Sequence, residues 1–374
     1  MKNMYFKTGD GVDIYKIGDD ILCFYKINSR HRIEIEVTEE IINLISELDG
    51  QKTIMEILKK LELEFDKDLE TLLDFLLKNK LIYDIKLEEI QKFFLDCSEI
   101  ERYQRQILFF EEFFLDNKYS LQNKLKKQTI LIFGIGAIGS GICIQLAMMG
   151  CKKFIFVDNK RLKKNSITRH YYYNKIEEGN LKVDSLSEYL KKINPNIKIK
   201  KFAEKLDYDS DLKRYFNDNP TFVINTMDEP YIGLTSLKIG RECYSHNIGL
   251  FVGGGFDAHL MSTGELIIPN QTPCVDCYID YFKKKLKNWN PIYNIDAIDY
   301  ENTKEQIFEL GGLPSMSLFS ISYGTTEIVK YLLGYYDKEQ PNIRGELLFD
   351  KIKIDYLEVT KNKKCIVCGD KSDI

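Results

Sequence analysis

A glycine-rich turn between a buried strand and a helix constrains the fold of this 374-residue chain more than any other segment. Residues 128–133 (QTILIF) predict an apolar strand, and Gly134, Gly136 and Gly139 follow it at G-x-G-x-x-G spacing. A helical pattern and a second apolar strand come next, and Asp158 closes that strand. This order is typical of a nucleotide-binding unit. The sequence therefore predicts an α/β fold, with a Rossmann-like domain around a central, mostly parallel sheet.

Each motif residue has a physical role in such a unit. Gly134 permits the tight turn, Gly136 lets phosphate oxygens approach the backbone, and Gly139 lets helix and strand pack closely. The helix N-terminus offers free N–H groups and a positive dipole end to a phosphate. Asp158 is placed to accept hydrogen bonds from ribose hydroxyls. The motif predicts a bound nucleotide and does not choose between NAD and ATP.

Composition and charge exclude several classes of protein. The chain is 44% hydrophobic and 29% charged, which excludes a disordered or collagen-like chain. No run of about 18 apolar residues occurs, so we expect no membrane span. The first residues lack the apolar core of a secretory signal, so we expect a cytoplasmic protein. A net charge of −4 argues against general binding of nucleic acid.

The first 88 residues predict a small domain of their own. Three short strands are predicted at 12–16, 21–27 and 33–37, and in the last one apolar side chains alternate with glutamates. Three helices follow, and Thr53 with Glu56 has the spacing of a capping box at the start of the second helix. A closing strand completes the pattern, which predicts a winged-helix-like α+β domain.

This first domain is acidic. The first ninety residues carry 13 lysines and arginines against 20 aspartates and glutamates, which fits poorly with the DNA binding of many winged helices. The pattern, with residues 47–54 (ELDGQKTI), instead resembles the leader-peptide recognition domain of pathways that make peptide natural products ribosomally. Such domains bind a peptide as an added strand at an exposed sheet edge. Residues 86–100 are predicted to connect this domain to a second one, which covers 98–374.

Further motifs surround the glycine turn and narrow the choice of nucleotide. Residues 102–106 (RYQRQ) precede it, and Arg169 and Lys182 follow it. A strand predicted at 222–225 then leads to Asp228, and two C-x-x-C pairs come after it. In this order, the features resemble the ubiquitin-activating-enzyme-like superfamily of ThiF/MoeB-type adenylyltransferases. The likeness is to its bacterial, peptide-modifying branch, which includes the enzyme of microcin C biosynthesis.

The resemblance implies a role for each of these residues. Arg169 and Lys182 would contact the triphosphate of ATP, and Asp228 would hold Mg²⁺ near the α-phosphate. Asp158 would bind the ribose of the same ATP. Arg105 would reach the ATP of a neighbouring subunit, which implies a homodimer.

The chemistry of such an enzyme explains these residue types. A carboxylate that attacks the α-phosphorus of ATP approaches a highly anionic centre, and guanidinium groups, ammonium and Mg²⁺ offset that charge. The products are an acyl-adenylate and pyrophosphate, and no side-chain nucleophile is needed. A glycine run at 253–255 follows another predicted strand, and it either admits a peptide C-terminus or makes a tight turn.

Three positions depart from the family pattern. Lys160 stands where the family often has a second acid after the ribose-binding one. Ser166 and His170 replace an asparagine and a glutamine of the stretch that contains Arg169. These exchanges bear on the strength of nucleotide binding and leave the main set of charges in place.

Two C-x-x-C pairs predict one structural metal site. Cys274 with Cys277, and Cys365 with Cys368, offer four thiolates for a closed tetrahedral zinc site. The 87 residues between the pairs mean that the metal would tie the end of the chain to its middle. Redox-active or disulfide pairs are the alternative, and a reducing compartment disfavours them. No cysteine lies between Cys277 and Cys365, which argues against thioester transfer of the ubiquitin type.

The sequence therefore predicts an ATP-dependent enzyme that adenylylates a carboxylate, at the C-terminus, of a ribosomally made precursor peptide. The expected cofactors are ATP, Mg²⁺ and Zn²⁺, and the expected partners are the precursor peptide and a second copy of the chain. A leader-peptide-binding adaptor without ATP chemistry and a sulfur-carrier adenylyltransferase are the alternatives. An NAD-dependent dehydrogenase is disfavoured, because it would leave Arg105, Arg169 and the cysteine pairs without a purpose.

Overall fold

The computed structural model consists of two compact units, residues 1–124 and 125–374. It describes residues 1–114, 117–207, 209–229, 232–254, 261–285, 312–337, 344–351 and 353–369. The predicted domain limits, 1–88 and 98–374, stay a prediction.

The first unit holds two small antiparallel sheets. One has the strand order β2-β3-β4, and the other pairs β1 with β5. The strands are β1 (Phe6–Thr8), β2 (Val12–Ile17), β3 (Ile21–Lys26), β4 (Arg32–Glu36) and β5 (Ile82–Asp84). The alternation expected in the third predicted strand is present, since Ile33 and Ile35 are partly buried and Glu34 is exposed.

Helices follow the three-stranded sheet in the first unit. They are α1 (Glu39–Ser46), α2 (Ile54–Leu61), α3 (Lys67–Lys78), α4 (Ile85–Gln91) and α5 (Cys97–Phe113), and α6 (Lys118–Lys127) carries the chain into the second unit. The predicted capping box is present, because Thr53 Oγ1 accepts from Glu56 N at 3.2 Å and Glu56 Oε2 accepts from Thr53 N at 2.7 Å. Phe24 and Leu44 lie in the core of this unit with no exposed surface. The structure therefore contains the small α+β domain that the sequence predicts.

The predicted connecting segment, residues 86–100, has regular structure, and its connecting role stays a prediction. Most of this stretch is helical, in α4, in a short 3₁₀ helix at Lys92–Phe94 and at the start of α5. Two aspartates cap these helices. The Asp84 carboxylate accepts from Lys86 N at 3.0 Å, and the Asp96 carboxylate accepts from Glu99 N at 2.9 Å. The helix starts were therefore encoded locally, by caps that the hydrophobic pattern did not reveal.

The second unit is built on a six-stranded sheet with the strand order β11-β10-β9-β6-β7-β8. Five strands are parallel, and only β11 runs antiparallel to its neighbour. The strands are β6 (Thr129–Phe133), β7 (Lys153–Val157), β8 (Lys198–Phe202), β9 (Phe222–Asn225), β10 (Gly249–Val252) and β11 (Glu265–Ile267). This sheet confirms the predicted Rossmann-like domain with a mostly parallel sheet.

Helices alternate with these strands. They are α7 (Ala137–Met148), α8 (Lys182–Ile193), α9 (Lys213–Phe216), α10 (Ile232–Ser245), α11 (Val275–Lys285) and α12 (Pro314–Leu333). Helices α7 and α12 pack closely at Gly141, where an added Cβ would overlap the side chain of Ile321. A hairpin of β12 (Arg344–Leu347) and β13 (Ile354–Leu357) follows. Across the described ranges, no helix combines the length and apolar character that crossing a membrane requires.

The strand order indicates where a ligand would bind, beside the glycine turn. The chain runs from β6 to β7 on one side of β6, and β9 pairs with β6 on the other side. In open parallel sheets a ligand binds at the carboxyl ends of the strands, at the point where the strand order reverses. Here that point lies between β6 and β9, where Gly134 and Asp228 follow their strands.

Candidate nucleotide site and cysteine cluster

The three glycines of the turn meet different surroundings. Gly134 has a φ of +82°, and a Cβ there would lie 2.9 Å from the backbone N of Met227. A Cβ on Gly139 would overlap the carbonyl oxygen of Gly134 and would lie 2.6 Å from Thr226 Oγ1. A Cβ on Gly136 would meet nothing within 4 Å. The first and third glycines are therefore required by close packing, and the second leaves open space at the start of α7.

Asp158 anchors the glycine turn. Its side chain is 5% exposed, Oδ2 accepts from Ile135 N at 2.9 Å, and Oδ1 accepts from Lys160 N at 2.7 Å. A carboxylate offers about four lone-pair sites, so these two bonds leave acceptor capacity for ribose hydroxyls. Sequence reasoning assigned Asp158 to the ribose alone. It missed that the same side chain also holds the backbone at Ile135 and at Lys160.

Lys182 is the buried cation of the site. It is the first residue of α8 and is 9% exposed. Burial lowers its pKa, the charges of Lys160 and Arg169 lower it further, and the carboxylates of Asp158 and Asp228 oppose this shift. Contacts through Lys160 bring Asp158, Lys182 and Asp228 together, since its N–H donates to Asp158, its carbonyl oxygen accepts from Lys182 N, and its Nζ lies 3.5 Å from Asp228 Oδ1. Arg169 lies close enough to Lys182 to lower the pKa of that lysine, so four of the predicted site residues lie near one another in the second unit. The four are Asp158, Arg169, Lys182 and Asp228.

Asp228 lies in the loop after β9, and its side chain is 68% exposed. The loop is held by Asn225, whose Oδ1 accepts from Met227 N at 3.0 Å and whose Nδ2 donates to Ser236 Oγ at 2.9 Å. Lys160 Nζ lies 3.5 Å from Asp228 Oδ1 and 2.9 Å from Glu229 Oε1. Sequence reasoning missed Glu229 and treated Lys160 only as a lost acid.

His170 lies buried beside the cations. Its Nδ1 is 3.2 Å from the carbonyl oxygen of Ser166, the side chain is 5% exposed, and Nε2 has no hydrogen-bond partner within the described part of the chain. Burial and then the charge of Lys182 lower the pKa of His170 to about 3, so the ring is neutral near pH 7. Ser166 Oγ accepts from Lys163 N at 3.0 Å. Both exchanged residues therefore have structural roles in the loop that carries Arg169.

Arg105 belongs to the first unit. It is exposed on α5, whereas the other predicted site residues belong to the second unit. Its role at the ATP of a neighbouring subunit stays a prediction.

The glycine run at 253–255 begins directly after β10. A Cβ on Gly253 would lie 2.8 Å from Thr226 Cγ2 and 3.1 Å from Ile138 Cγ2, and Gly254 has a φ of +83°. Gly255 lies outside the described residues. Close packing against the glycine turn therefore accounts for Gly253, and backbone conformation accounts for Gly254.

The four cysteines of the two C-x-x-C pairs converge. Their sulfur atoms all lie within 4.8 Å of one another, and Cys274–Cys365 and Cys277–Cys368 are each 3.4 Å apart. Four sulfurs at 2.3 Å from a tetrahedral zinc ion lie about 3.8 Å apart, so this cluster fits the ion. All four thiols are free and buried, and Asn362 N donates to Cys277 Sγ at 3.4 Å, which favours a thiolate. The separations argue against disulfides, whose sulfur atoms lie about 2.05 Å apart.

A comparison with protein families decides the membership of this chain. The model of the ThiF family matches residues 103–367. The chain belongs to the ThiF family. This match confirms the superfamily that the motifs around the glycine turn predict.

Curated ThiF-type relatives are similar at low identity. An adenylyltransferase and sulfurtransferase UBA4 from Scheffersomyces stipitis is 26% identical over 88% of this chain and 65% of its own length. The tRNA threonylcarbamoyladenosine dehydratase 1 of Saccharomyces cerevisiae is 33% identical over 28% of this chain and 25% of its own length. The chain thus spans less than two thirds of the length of these relatives.

Solved structures share the fold of the whole chain. E. coli MccB with ATP superposes with a TM-score of 0.70 at 20% identity, covering 97% of this chain and 99% of the other. E. coli MccB with MccA-N7isoASN gives a TM-score of 0.72 at 20% identity, with coverages of 98% and 99%. At this identity the likeness establishes the fold, and the chemistry must be argued from the residues.

Proposed function

We propose that this ThiF-family chain is an ATP-dependent adenylyltransferase that activates a carboxylate of a ribosomally made precursor peptide. The observation that carries the proposal is the set of contacts that joins Asp158, Lys182 and Asp228 through Lys160 beside the glycine turn, with Arg169 nearby. Binding of NAD does not require the two cations, Lys182 and Arg169, and the exposed acid Asp228 at this point. Binding of a triphosphate with Mg²⁺ uses all three.

The residues fit the phosphates and the ribose of ATP and the Mg²⁺ that accompanies it. The open space at Gly136 and the N-terminus of α7 accept a phosphate group. The spare acceptor sites of Asp158 suit the ribose. Asp228 offers exposed carboxylate oxygens, which are the ligands that Mg²⁺ prefers.

The reaction is a transfer at the α-phosphorus of ATP. A carboxylate oxygen of the peptide forms a bond to this phosphorus, and the bond to the leaving pyrophosphate breaks. Arg169 and Lys182 stabilise the negative charge of the triphosphate during this step, and burial of Lys182 strengthens its effect. Bound Mg²⁺ neutralises further phosphate charge. No side chain acts as the nucleophile.

The first unit supplies a surface for the peptide. Its three-stranded sheet leaves β2 and β4 at the edges, where an extended peptide can add as a further strand. Support comes from the fold shared with E. coli MccB, which was crystallised with MccA-N7isoASN. We propose that the C-terminus of the bound peptide carries the carboxylate that is activated.

Two further features belong to the same proposal. Arg105 acts across a homodimer on the ATP of the second subunit, and the four clustered cysteines hold a structural Zn²⁺. We expect a cytoplasmic location, where the thiols stay reduced.

Sulfur-carrier adenylylation is the second candidate function. The similarity to UBA4 over 88% of this chain favours it. The absence of a cysteine between Cys277 and Cys365 disfavours the transfer of sulfur or of an acyl group to the protein. A peptide-binding adaptor is the third candidate, because Lys160, Ser166 and His170 depart from the family pattern.

Calorimetric titration of MgATP into the full chain and its Asp228→Ala variant tests the proposal. We expect binding by the unmodified chain and a loss of at least about tenfold in affinity in the variant, since a lost metal ligand weakens the site. Binding of NAD and not of MgATP would refute the adenylyltransferase. Exchange of labelled pyrophosphate into ATP, stimulated by a peptide and not by a sulfur-carrier protein, separates the first candidate from the second.

A further inference from the structure

Lys160 is fixed by its own backbone between two residues of the proposed ATP site. Its N–H donates to Asp158 Oδ1 at 2.7 Å, and its carbonyl oxygen accepts from Lys182 N at 3.0 Å. The main chain of Lys160 therefore has a defined position between the ribose acid and the buried cation. Its side chain therefore extends from a backbone position that two hydrogen bonds hold.

The Lys160 side chain reaches the proposed metal-binding acid. Its Nζ lies 2.9 Å from Glu229 Oε1 and 3.5 Å from Asp228 Oδ1. Both carboxylates therefore lie within ion-pair distance of the same ammonium group. The position that resembles a family acid thus holds a cation, and this cation faces Asp228 and Glu229.

We propose that Lys160 is an internal counter-cation for Asp228. When Mg²⁺ enters with the triphosphate, the metal ion takes the place of the Lys160 ammonium group beside Asp228. Glu229 acts as a positioning residue that keeps the displaced ammonium beside the phosphates. The inference rests on the proposed function, because it takes Asp228 to be the ligand of Mg²⁺.

The geometry makes this displacement easy. The Asp228 side chain is 68% exposed and that of Lys160 is 39% exposed, so water screens their attraction. The separation of 3.5 Å is longer than a direct charge-assisted hydrogen bond, whereas the 2.9 Å to Glu229 is not. The divalent ion can therefore take Asp228 while Lys160 stays attached to Glu229.

Two opposite consequences follow from this arrangement. Lys160, Arg169 and Lys182 together present three positive charges to a triphosphate, so part of the nucleotide affinity does not depend on metal. Removal of the Lys160 charge weakens that part and at the same time frees Asp228 for Mg²⁺. A general loss of structure cannot weaken one binding reaction and strengthen the other.

The test is a calorimetric titration of the non-hydrolysable analogue AMPCPP into the full chain, first with EDTA and then over a series of MgCl₂ concentrations. We expect Lys160→Met to weaken metal-free binding about tenfold, the size of a lost hydrogen bond to a charged group. The Mg²⁺ concentration that gives half-maximal binding should fall about threefold, as expected for a screened ion pair. Lys160→Arg keeps the charge and should resemble the unmodified chain.

Lys198→Met is the matched control. Lys198 is exposed and is the first residue of β8. It therefore lies at the amino edge of the parallel sheet, opposite the carboxyl edge where the proposed ATP site lies. It should change neither quantity. Changes below twofold in both quantities for Lys160→Met, or equal weakening at every Mg²⁺ concentration, would overturn the role of Lys160.

The Asp228→Ala variant separates this inference from the proposed function. Mg²⁺-dependent binding that Asp228→Ala removes keeps the adenylyltransferase, whatever Lys160→Met does. Failure of the unmodified chain to bind AMPCPP with Mg²⁺ would refute the proposed function, and the role of Lys160 would fall with it.

Discussion

Asp158 Oδ2 accepts a hydrogen bond from Ile135 N at 2.9 Å, which ties the acid at the end of β7 to the first residue after Gly134. The other oxygen of the same carboxylate accepts from Lys160 N. One buried side chain therefore holds two backbone segments that border the proposed ATP site. Nucleotide binding and stability of the second unit are consequently coupled at Asp158.

We predict that Asp158→Asn weakens both properties. The amide keeps the shape of the side chain but turns one NH₂ donor toward a backbone N–H that is already a donor. The free energy of unfolding should fall by about 1–3 kcal/mol, the penalty for a buried polar group without its partner. Urea denaturation followed by circular dichroism measures this loss, and calorimetry with MgATP measures the accompanying loss of affinity.

Asp218→Asn is the control for that substitution. Asp218 pairs with Lys200 at 2.5 Å on the surface of the same unit, where both side chains are at least 40% exposed. Its loss should change stability by less than about 1 kcal/mol. Equal effects of the two substitutions would contradict the anchoring role of Asp158.

The glycine turn allows stability and binding to be separated. Gly139→Ala places a Cβ against the carbonyl oxygen of Gly134 and the side chain of Thr226, so it should destabilise the protein by about 1–3 kcal/mol. Gly136→Ala meets no atom within 4 Å, so it should keep the fold and weaken ATP binding by filling the space for a phosphate. Denaturation and calorimetry on the two variants should therefore give opposite patterns. An unchanged ATP affinity in Gly136→Ala would contradict the placement of the phosphates there.

Local sequence signals predicted the part of the second unit around the glycine turn, namely β6, α7, β7 and β9. The glycines, Asp158 and Asp228 lie at the ends of apolar strands, and parallel strands bring their carboxyl ends to one edge, so these residues had to converge. Lys182 was assigned through the family resemblance, and it is the first residue of α8. Such features depend on a few neighbouring residues, which is why the sequence pattern was sufficient.

The parts that the sequence did not reveal depend on contacts between distant segments. Lys160 reaches Asp228 and Glu229 across two loops that are far apart in sequence, so its pairing is a property of the assembled sheet. Strand β1 has only three residues. It is held by pairing with β5, which lies far from it in the sequence. A short strand without alternation carries no local pattern that would predict it.

The cysteine cluster predicts a measurable zinc content. We expect one Zn²⁺ per chain by plasma mass spectrometry, and loss of most of it in Cys365→Ser, because three thiolates bind zinc less tightly than four. The variant and the chelator-treated protein should both melt at a lower temperature, since the metal ties distant parts of the chain together. Cys243→Ala is the control, because this cysteine is equally buried but lies outside the cluster. Full zinc content in Cys365→Ser would contradict the four-cysteine site.

His170 predicts how stability changes with pH. Its pKa is lowered to about 3 in the folded chain by burial and by Lys182, whereas an unfolded histidine titrates near 6.5. The unfolded chain therefore binds the proton first. The stabilisation that His170 provides is complete above about pH 6.5 and is lost, at up to about 1.4 kcal/mol per pH unit, as the pH falls toward 3.

His170→Gln should remove this slope, so the variant should lose less stability than the unmodified chain between pH 6.5 and pH 4. Urea midpoints over this range measure the difference. Parallel pH curves for the unmodified chain and His170→Gln would mean that the buried ring is not the group that titrates.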